Sequence, residues 1–215
     1  KEIDIKSPHS SSVLGKKYFA DEKISEIAIE SLKEYSSKWK KFPIEKKAEI
    51  FLKFANLIED NTNDIIEICA KESGKSIKNS IAEIREAIDF CRYYSKEALN
   101  LFQTQTLKGP TGELNQYRMV GKGLSFVVSP WNFPVAIFIG QTVAALITGN
   151  VVITKPAEQS SFAAYYIIKL LLKAGLPSNA IALLLGDGAL IGKKVINDKK
   201  LKNVIFTGSL ETAKI

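Results

Sequence analysis

The chain has 215 residues, 46% hydrophobic and 25% charged, the balance of an ordinary water-soluble globular protein. Its formal net charge is +7, but the excess is lysine scattered along the chain. Arginine occurs only at Arg85, Arg92 and Arg118, which argues against a nucleic-acid-binding surface. The two cysteines, Cys69 and Cys91, fall on apolar helical stripes without CxxC spacing and read as buried free thiols of a reducing cytoplasm. The lone His9 lies in a polar segment and gives no basis for a histidine-based metal site. No secretory signal is visible. The longest apolar run, Phe133–Ile147, contains Gly140 and Gln141 and falls short of the about 20 residues of a membrane span, so it reads as a buried helix.

In chain order, a short alternating start leads into a polar loop within residues 1–19. From Asp21 the period becomes helical, with Ile24, Ile27, Ala28, Leu32 and Tyr35 as the expected apolar face. Pro43 suits the first turn of a second helix with core residues Ala48, Phe51, Ala55 and Ile58. Asn61 or Thr62 starts a third, which Gly74 stops. A fourth runs from about Ile77 to Leu99, with Ile77, Ile81, Ile84, Ile88 and Cys91 as its stripe. Ser73-Gly74-Lys75-Ser76 contains the GKS of a phosphate-binding loop. It lacks the motif's first glycine, which Cys69 replaces, and it follows a helix rather than a strand, so it is rejected.

Residues 1–102 are thus read as a mostly helical amino-terminal region and 103–122 as a connector or hairpin, which suits an oligomerisation arm or, equally, a surface loop. Residues 123–215 read as a partial Rossmann-like region. Strands are expected at Leu124–Val128, Val151–Thr154, Ile181–Leu185 and Val204–Phe206. Helices are expected at Val135–Thr148, Ser161–Ala174 and Ala189–Ile196. The fold class is α/β, a helical region followed by an incomplete doubly wound parallel sheet, because four strands are fewer than a full dinucleotide fold has. The chain begins at Lys1 and stops at Ile215 one turn into an expected helix, so both ends read as cut.

Ligands of such sheets sit beyond the carboxyl ends of the strands. Pro130, Trp131 and Asn132 follow the first strand, and Lys155 and Glu158 lie just past the second. Asn132 is an amide donor suited to an oxyanion or, equally, to a turn. Lys155 and Glu158 suit a ribose diol or a solvated ion pair. Gly186-Asp187-Gly188-Ala189-Leu190-Ile191-Gly192 follows the third strand with GxGxxxG spacing. Phe206-Thr207-Gly208-Ser209 repeats the strand, glycine and helix arrangement after the fourth. Either loop is as well explained by plain turn chemistry as by a bound pyrophosphate.

Taken in order, SPWNFP, GN-x4-KPAE, GDGALIG and FTGS resemble the NAD(P)-dependent aldehyde dehydrogenase superfamily over nearly the whole chain. Asn79–Ser95, SPWNFPVAIFIGQ and Ala213 look closest to the aldehyde dehydrogenase module of the bifunctional proline utilization A enzymes. The resemblance implies an aldehyde-dehydrogenase-like fold, NAD as cofactor and oxidation of L-glutamate γ-semialdehyde to glutamate. It makes Asn132 the oxyanion-hole amide, Lys155 and Glu158 the adenosine ribose partners, and Gly188 part of the adenine pocket. Gly208 and Ser209 would contact the pyrophosphate, and Pro130 and Trp131 would line the nicotinamide side. In the family a cysteine thiolate attacks the aldehyde and a glutamate activates water, both downstream of FTGS. Neither falls within this chain, and Cys69 and Cys91 precede the motifs, so the chain is expected to be inactive alone. Its expected partners are a small aldehyde, the carboxy-terminal catalytic part and a further copy of itself, with no nucleic acid. A second reading is a non-catalytic nucleotide-binding or assembly protein derived from the same fold.

Overall fold

The computed structural model describes residues 1–214; the region 123–215 ends on Ile215, which lies outside the described residues. The chain opens with an antiparallel hairpin, β1 (Glu2–Lys6) and β2 (Val13–Tyr18). The last three residues of the expected polar loop SPHSSSVLG, Val13 to Gly15, are therefore strand. VLGKKY shows no apolar alternation because neither of its faces is fully buried, so only its pairing with β1 defines it.

Four helices follow: α1 (Glu22–Lys41), α2 (Ile44–Asp60), α3 (Thr62–Ser73) and α4 (Ile77–Leu101). Asp21 caps α1 by accepting from the Ile24 amide at 2.8 Å, and Pro43 stands at the start of α2. Gly74 ends α3 in the left-handed region (φ 64°), where a Cβ would be strained, and Ser76 caps α4 by accepting from the Asn79 amide at 3.3 Å. The Ser73–Ser76 tetrapeptide is thus a helix stop followed by a helix start.

The α2 face is buried as read, with Ala48, Phe51, Ala55 and Ile58 in the core. Two stripes are rotated from expectation. On α1 the buried residues are Ser25, Ile29, Leu32 and Trp39, while Ile24 and Ile27 are exposed. On α4 Ile84, Ile88 and Cys91 are buried, but Ile77 and Ile81 face solvent and Ser80, Glu83 and Ser95 lie inside. In both cases small or partnered polar residues occupy the core face. Ser25 Oγ donates to Asp21 O at 2.9 Å and Ser95 Oγ to Cys91 O at 2.7 Å, which removes most of the cost of burying them.

After an exposed hairpin of β3 (Gln105–Leu107) and β4 (Asn115–Tyr117), the sheet begins. Its strands are β5 (Leu124–Ser129), β6 (Val151–Pro156), β7 (Ile181–Leu183) and β8 (Leu201–Phe206), all parallel in the order β7-β6-β5-β8. The crossovers are α5 (Ala136–Ile147), α6 (Ser161–Ala174) and α7 (Gly188–Ile196), and α8 (Leu210–Ala213) follows β8. Helices α5 and α6 cover one face with α2, α3 and α4 packed over them; α1 and α7 cover the other. The chain moves outward from β5 to β7 and then returns to the far side of β5, so the switch point lies between β5 and β8.

One apolar cluster runs from Ile29 on α1 to Val195 on α7 and includes the fully buried Trp39, Phe51, Phe54, Phe126 and Phe138. Helical and sheet regions therefore share a core. Trp39 keeps its one polar atom satisfied, Nε1 donating to Leu146 O at 2.9 Å. Asn150 sets where the central strands start: its Oδ1 accepts from the Gly123 amide at 3.0 Å and its Nδ2 donates to Ala145 O at 3.1 Å.

Candidate functional site

The parallel register aligns Val128 with Lys155 on one side and with Phe206 on the other, so three of the four motif loops leave the sheet side by side. The Pro130–Pro134 loop and the Thr207–Ser209 turn flank the switch point. The Thr207 amide donates to Val128 O at 3.0 Å. The Gln141 amide on α5 bridges the same two strands, donating to Val128 O at 3.2 Å and accepting from Thr207 Oγ1 at 2.7 Å.

Lys155 lies inside β6 rather than just past it, and it is buried at 6% exposure. Its position follows from register: six residues of β6 pair with β5, and Lys155 is the fifth of them. Its ammonium donates to Pro156 O at 3.2 Å. Burial pulls its pKa below the usual lysine range, against the opposing pull of Glu158 and Asp187, while Lys17 adds to the fall. Glu158 begins a single 3₁₀ turn, Glu158–Ser160, and is half-buried. Among the described residues no ion pair joins Lys155 to Glu158, so the simple surface pair is not what forms.

Gly188 opens α7, and a Cβ built on it would lie 3.5 Å from Lys155 Nζ, so glycine keeps the space beside the ammonium open. Asp187 caps α7, its Oδ1 accepting from the Ala189 and Leu190 amides at 2.8 and 3.0 Å. Gly208 and Ser209 are exposed, and Ser209 Oγ accepts from the Thr212 amide at 3.2 Å. Trp131 and Asn132 are exposed and Pro130 is half-buried. Lys155 and Gly188 thus stand side by side with the Glu158 charge close to the ammonium, while the Pro130–Asn132 loop and the Gly208-Ser209 turn leave the neighbouring strands β5 and β8.

Several charged residues outside the expected set shape the same edge. Lys17 on β2 donates to Glu158 O and, at 3.3 Å, to Ser161 Oγ. Burial lowers its pKa against the attraction of Glu72 and Glu158. Glu72 on α3 accepts from the Phe162 and Ala163 amides at 2.7 and 2.8 Å, so it caps α6 from outside. Burial raises the Glu72 carboxyl pKa, which those two amides and Lys17 oppose. A groove of about 530 Å³ between the hairpin and this edge is lined by Lys17, Glu72, Trp131 and Glu158. The signal available in sequence was a charged residue in phase with a buried stripe. Glu83, beside Ile84 and four residues before Ala87, is one such residue.

The two thiols play no part at this edge. Both are buried, and burial pushes each up to about 12, far from a reactive thiolate.

The sequence profile of the Aldehyde dehydrogenase family matches residues 1–215. The chain belongs to the aldehyde dehydrogenase family. It is 34% identical over 207 residues to 1-pyrroline-5-carboxylate dehydrogenase of Bacillus subtilis, covering 96% of this chain and 40% of that protein. The fold of proline utilization A from Bdellovibrio bacteriovorus inactivated by N-propargylglycine superimposes with a TM-score of 0.94 at 34% identity, over 100% of this chain and 23% of that one. An NAD-dependent benzaldehyde dehydrogenase from Corynebacterium glutamicum gives 0.91 at 26% identity, over 100% of this chain and 46% of that one. The chain spans less than half the length of each. No helix among its described residues is long and apolar enough to cross a membrane.

Proposed function

We propose that this chain is the amino-terminal part of an NAD-dependent dehydrogenase that oxidises L-glutamate γ-semialdehyde to glutamate. The observation that carries the proposal is the meeting of the Asn132 loop, Lys155, Glu158 and Gly188 at the carboxyl edge of a parallel sheet in an aldehyde dehydrogenase family chain. The relative named for 1-pyrroline-5-carboxylate supports the substrate, and the neighbour named as NAD-dependent supports the cofactor. In this reading residues 1–102 are the helical region, 103–122 the oligomerising hairpin and 123–215 the cofactor region of a cytoplasmic enzyme.

The residues present fit NAD. Lys155 makes one hydrogen bond and keeps donors free beside a notch that a side chain at Gly188 would begin to fill. Its ammonium donates to the adenosine ribose while the Glu158 carboxylate accepts from it. A carboxylate at that position repels a second phosphate and so favours NAD over NADP. Gly208 and Ser209 meet the pyrophosphate, and Pro130 and Trp131 flank the nicotinamide. Bound there, NAD supplies the hydride acceptor. Asn132 donates its amide to the oxygen of the aldehyde as that oxygen gains charge. The nucleophilic cysteine and the base that activates water belong to the carboxy-terminal part.

The test is steady-state kinetics on the enzyme that continues this chain through the length its relatives carry. Asn132→Ala lowers kcat by about a hundredfold or more, the usual cost of one oxyanion donor. Lys155→Ala mainly raises the KM for NAD, because ribose binding is common to ground and transition states. A preference for simple aliphatic aldehydes over glutamate semialdehyde would sink the substrate assignment.

A further inference from the structure

The Ser73–Ser76 turn, set aside as a phosphate loop, has a different use. Lys75 Nζ has three partners. It pairs with Glu83 Oε2 where the two side chains are 11% and 0% exposed, it donates to Asn132 O at 2.8 Å, and it lies 4.2 Å from the centroid of the Phe133 ring. The second oxygen of Glu83 accepts from the Val135 and Ala136 amides at 2.6 and 3.0 Å. One buried ion pair thus grips the loop on both sides: the Asn132 carbonyl and the Phe133 ring through the ammonium, and the first amides of α5 through the carboxylate. The Asn132 side chain itself is exposed. Charge-assisted hydrogen bonds are shorter and about twice as strong as neutral ones, so this grip is stiff.

The partnership also explains why α4 tolerates a carboxylate on its core face. Glu83 is 1% exposed, and a buried charge survives only if it is paired and hydrogen-bonded. Val135, at the start of α5, offers no side-chain cap, so the amides there have no local acceptor. Glu83 meets both requirements, and Lys75 extends its hold to Asn132.

We propose that Lys75 and Glu83 are positioning residues for the oxidation: they fix the Asn132 backbone so that its side-chain amide is aimed at the reacting oxygen. The proposal rests on the reading of Asn132 as the oxyanion donor. An amide at the end of a loop free to shift by about 1 Å loses on the order of a hundredfold in rate, so the clamp has a kinetic consequence distinct from stability.

Two measurements test it. In the longer enzyme, Lys75→Met keeps a side chain of similar length and removes the charge that sits over Phe133. It is expected to lower kcat about tenfold or more while leaving the KM for NAD within about twofold. Added to Asn132→Ala, it should slow the enzyme by less than about twofold further, since its effect passes through Asn132. The same fold loss in both backgrounds would overturn the positioning role while leaving Asn132 its own. An unchanged kcat in Asn132→Ala alone would instead remove the Asn132 reading and this inference with it. In the 215-residue chain, Glu83→Gln should speed amide exchange of Val135 and Ala136 by about tenfold or more relative to the core amides of α2. Unchanged protection at those two amides would show that the clamp does not hold the loop.

Discussion

Lys47 makes a sharp test of how burial and charge trade off in this fold. It sits in the first turn of α2 at 3% exposure, with its ammonium 5.2 Å from the Trp39 ring centroid. Burial alone pulls its pKa from 10.5 to about 8, with no carboxylate opposing the fall. A fall of that size corresponds to about 3 kcal/mol. Lys47→Met keeps the length and the apolar stem and removes that cost. The sign with pH follows from linkage. Below pH 8 both folded and unfolded chains carry the proton, and the penalty is complete. Between about 8 and 10.5 the unfolded chain holds more protons than the folded one, so the wild-type chain gains stability as pH rises through that window. The variant is therefore expected to be more stable by about 3 kcal/mol at pH 7, with its advantage largely gone near pH 10.5. Urea unfolding of both chains at the two pH values reads this directly. A variant less stable at pH 7, or an advantage that persists unchanged at pH 10.5, would refute the reasoning.

Glu72→Ala leaves the Phe162 and Ala163 amides without an acceptor and should cost about 2 kcal/mol in urea unfolding; a loss below about 0.5 kcal/mol would mean water replaces the carboxylate freely. Cys69 and Cys91, both pushed up to about 12, should resist a disulfide reagent at pH 8 until the chain is unfolded, and rapid labelling of the native chain would contradict their burial. With neither thiol available, the 215-residue chain should give no NADH from glutamate semialdehyde, and steady turnover surviving replacement of both cysteines by alanine would overturn the proposal that the nucleophile lies elsewhere.

The sheet was legible because its strands and crossovers carry dense apolar runs separated by glycine and proline, and α2 because Ala48, Phe51, Ala55 and Ile58 recur at helical spacing and are all buried, although Lys47 beside them is buried too. The phases of α1 and α4 were not. Counting isoleucines there favours Ile24, Ile27, Ile77 and Ile81, whereas Ser25, Ser80 and Glu83 take the inner positions. A polar residue goes inside when it finds a partner, and the partners of Glu72 and Glu83 lie on α6 and α5, far along the chain. Periodicity cannot register a hydrogen bond to a residue 90 positions away. The same blindness hid Lys17, which reaches the Glu158 carbonyl from a strand with no visible alternation. That Lys155 and Gly188 fall at the carboxyl edge of the sheet was legible because strand ends and glycine turns are local features.

The long-range caps also bear on how this edge meets an anion. Neither α5 nor α6 has a side-chain cap of its own, and each receives a carboxylate from the helical region, Glu83 for α5 and Glu72 for α6. Asp187 does the same locally for α7. A helix N-terminus attracts a phosphate through its free amides and positive end. At three of the four helices leaving this edge, amides are already taken and a negative charge stands on them. The fourth, α8, is capped by the neutral Ser209 but carries Glu211 in its first turn, and at four residues it contributes little dipole. In the proposed function, then, a pyrophosphate is not held by helix dipoles at α5, α6 or α7. In that reading the exposed turn of Thr207, Gly208 and Ser209, on the strand beside the Asn132 loop, is left to meet it.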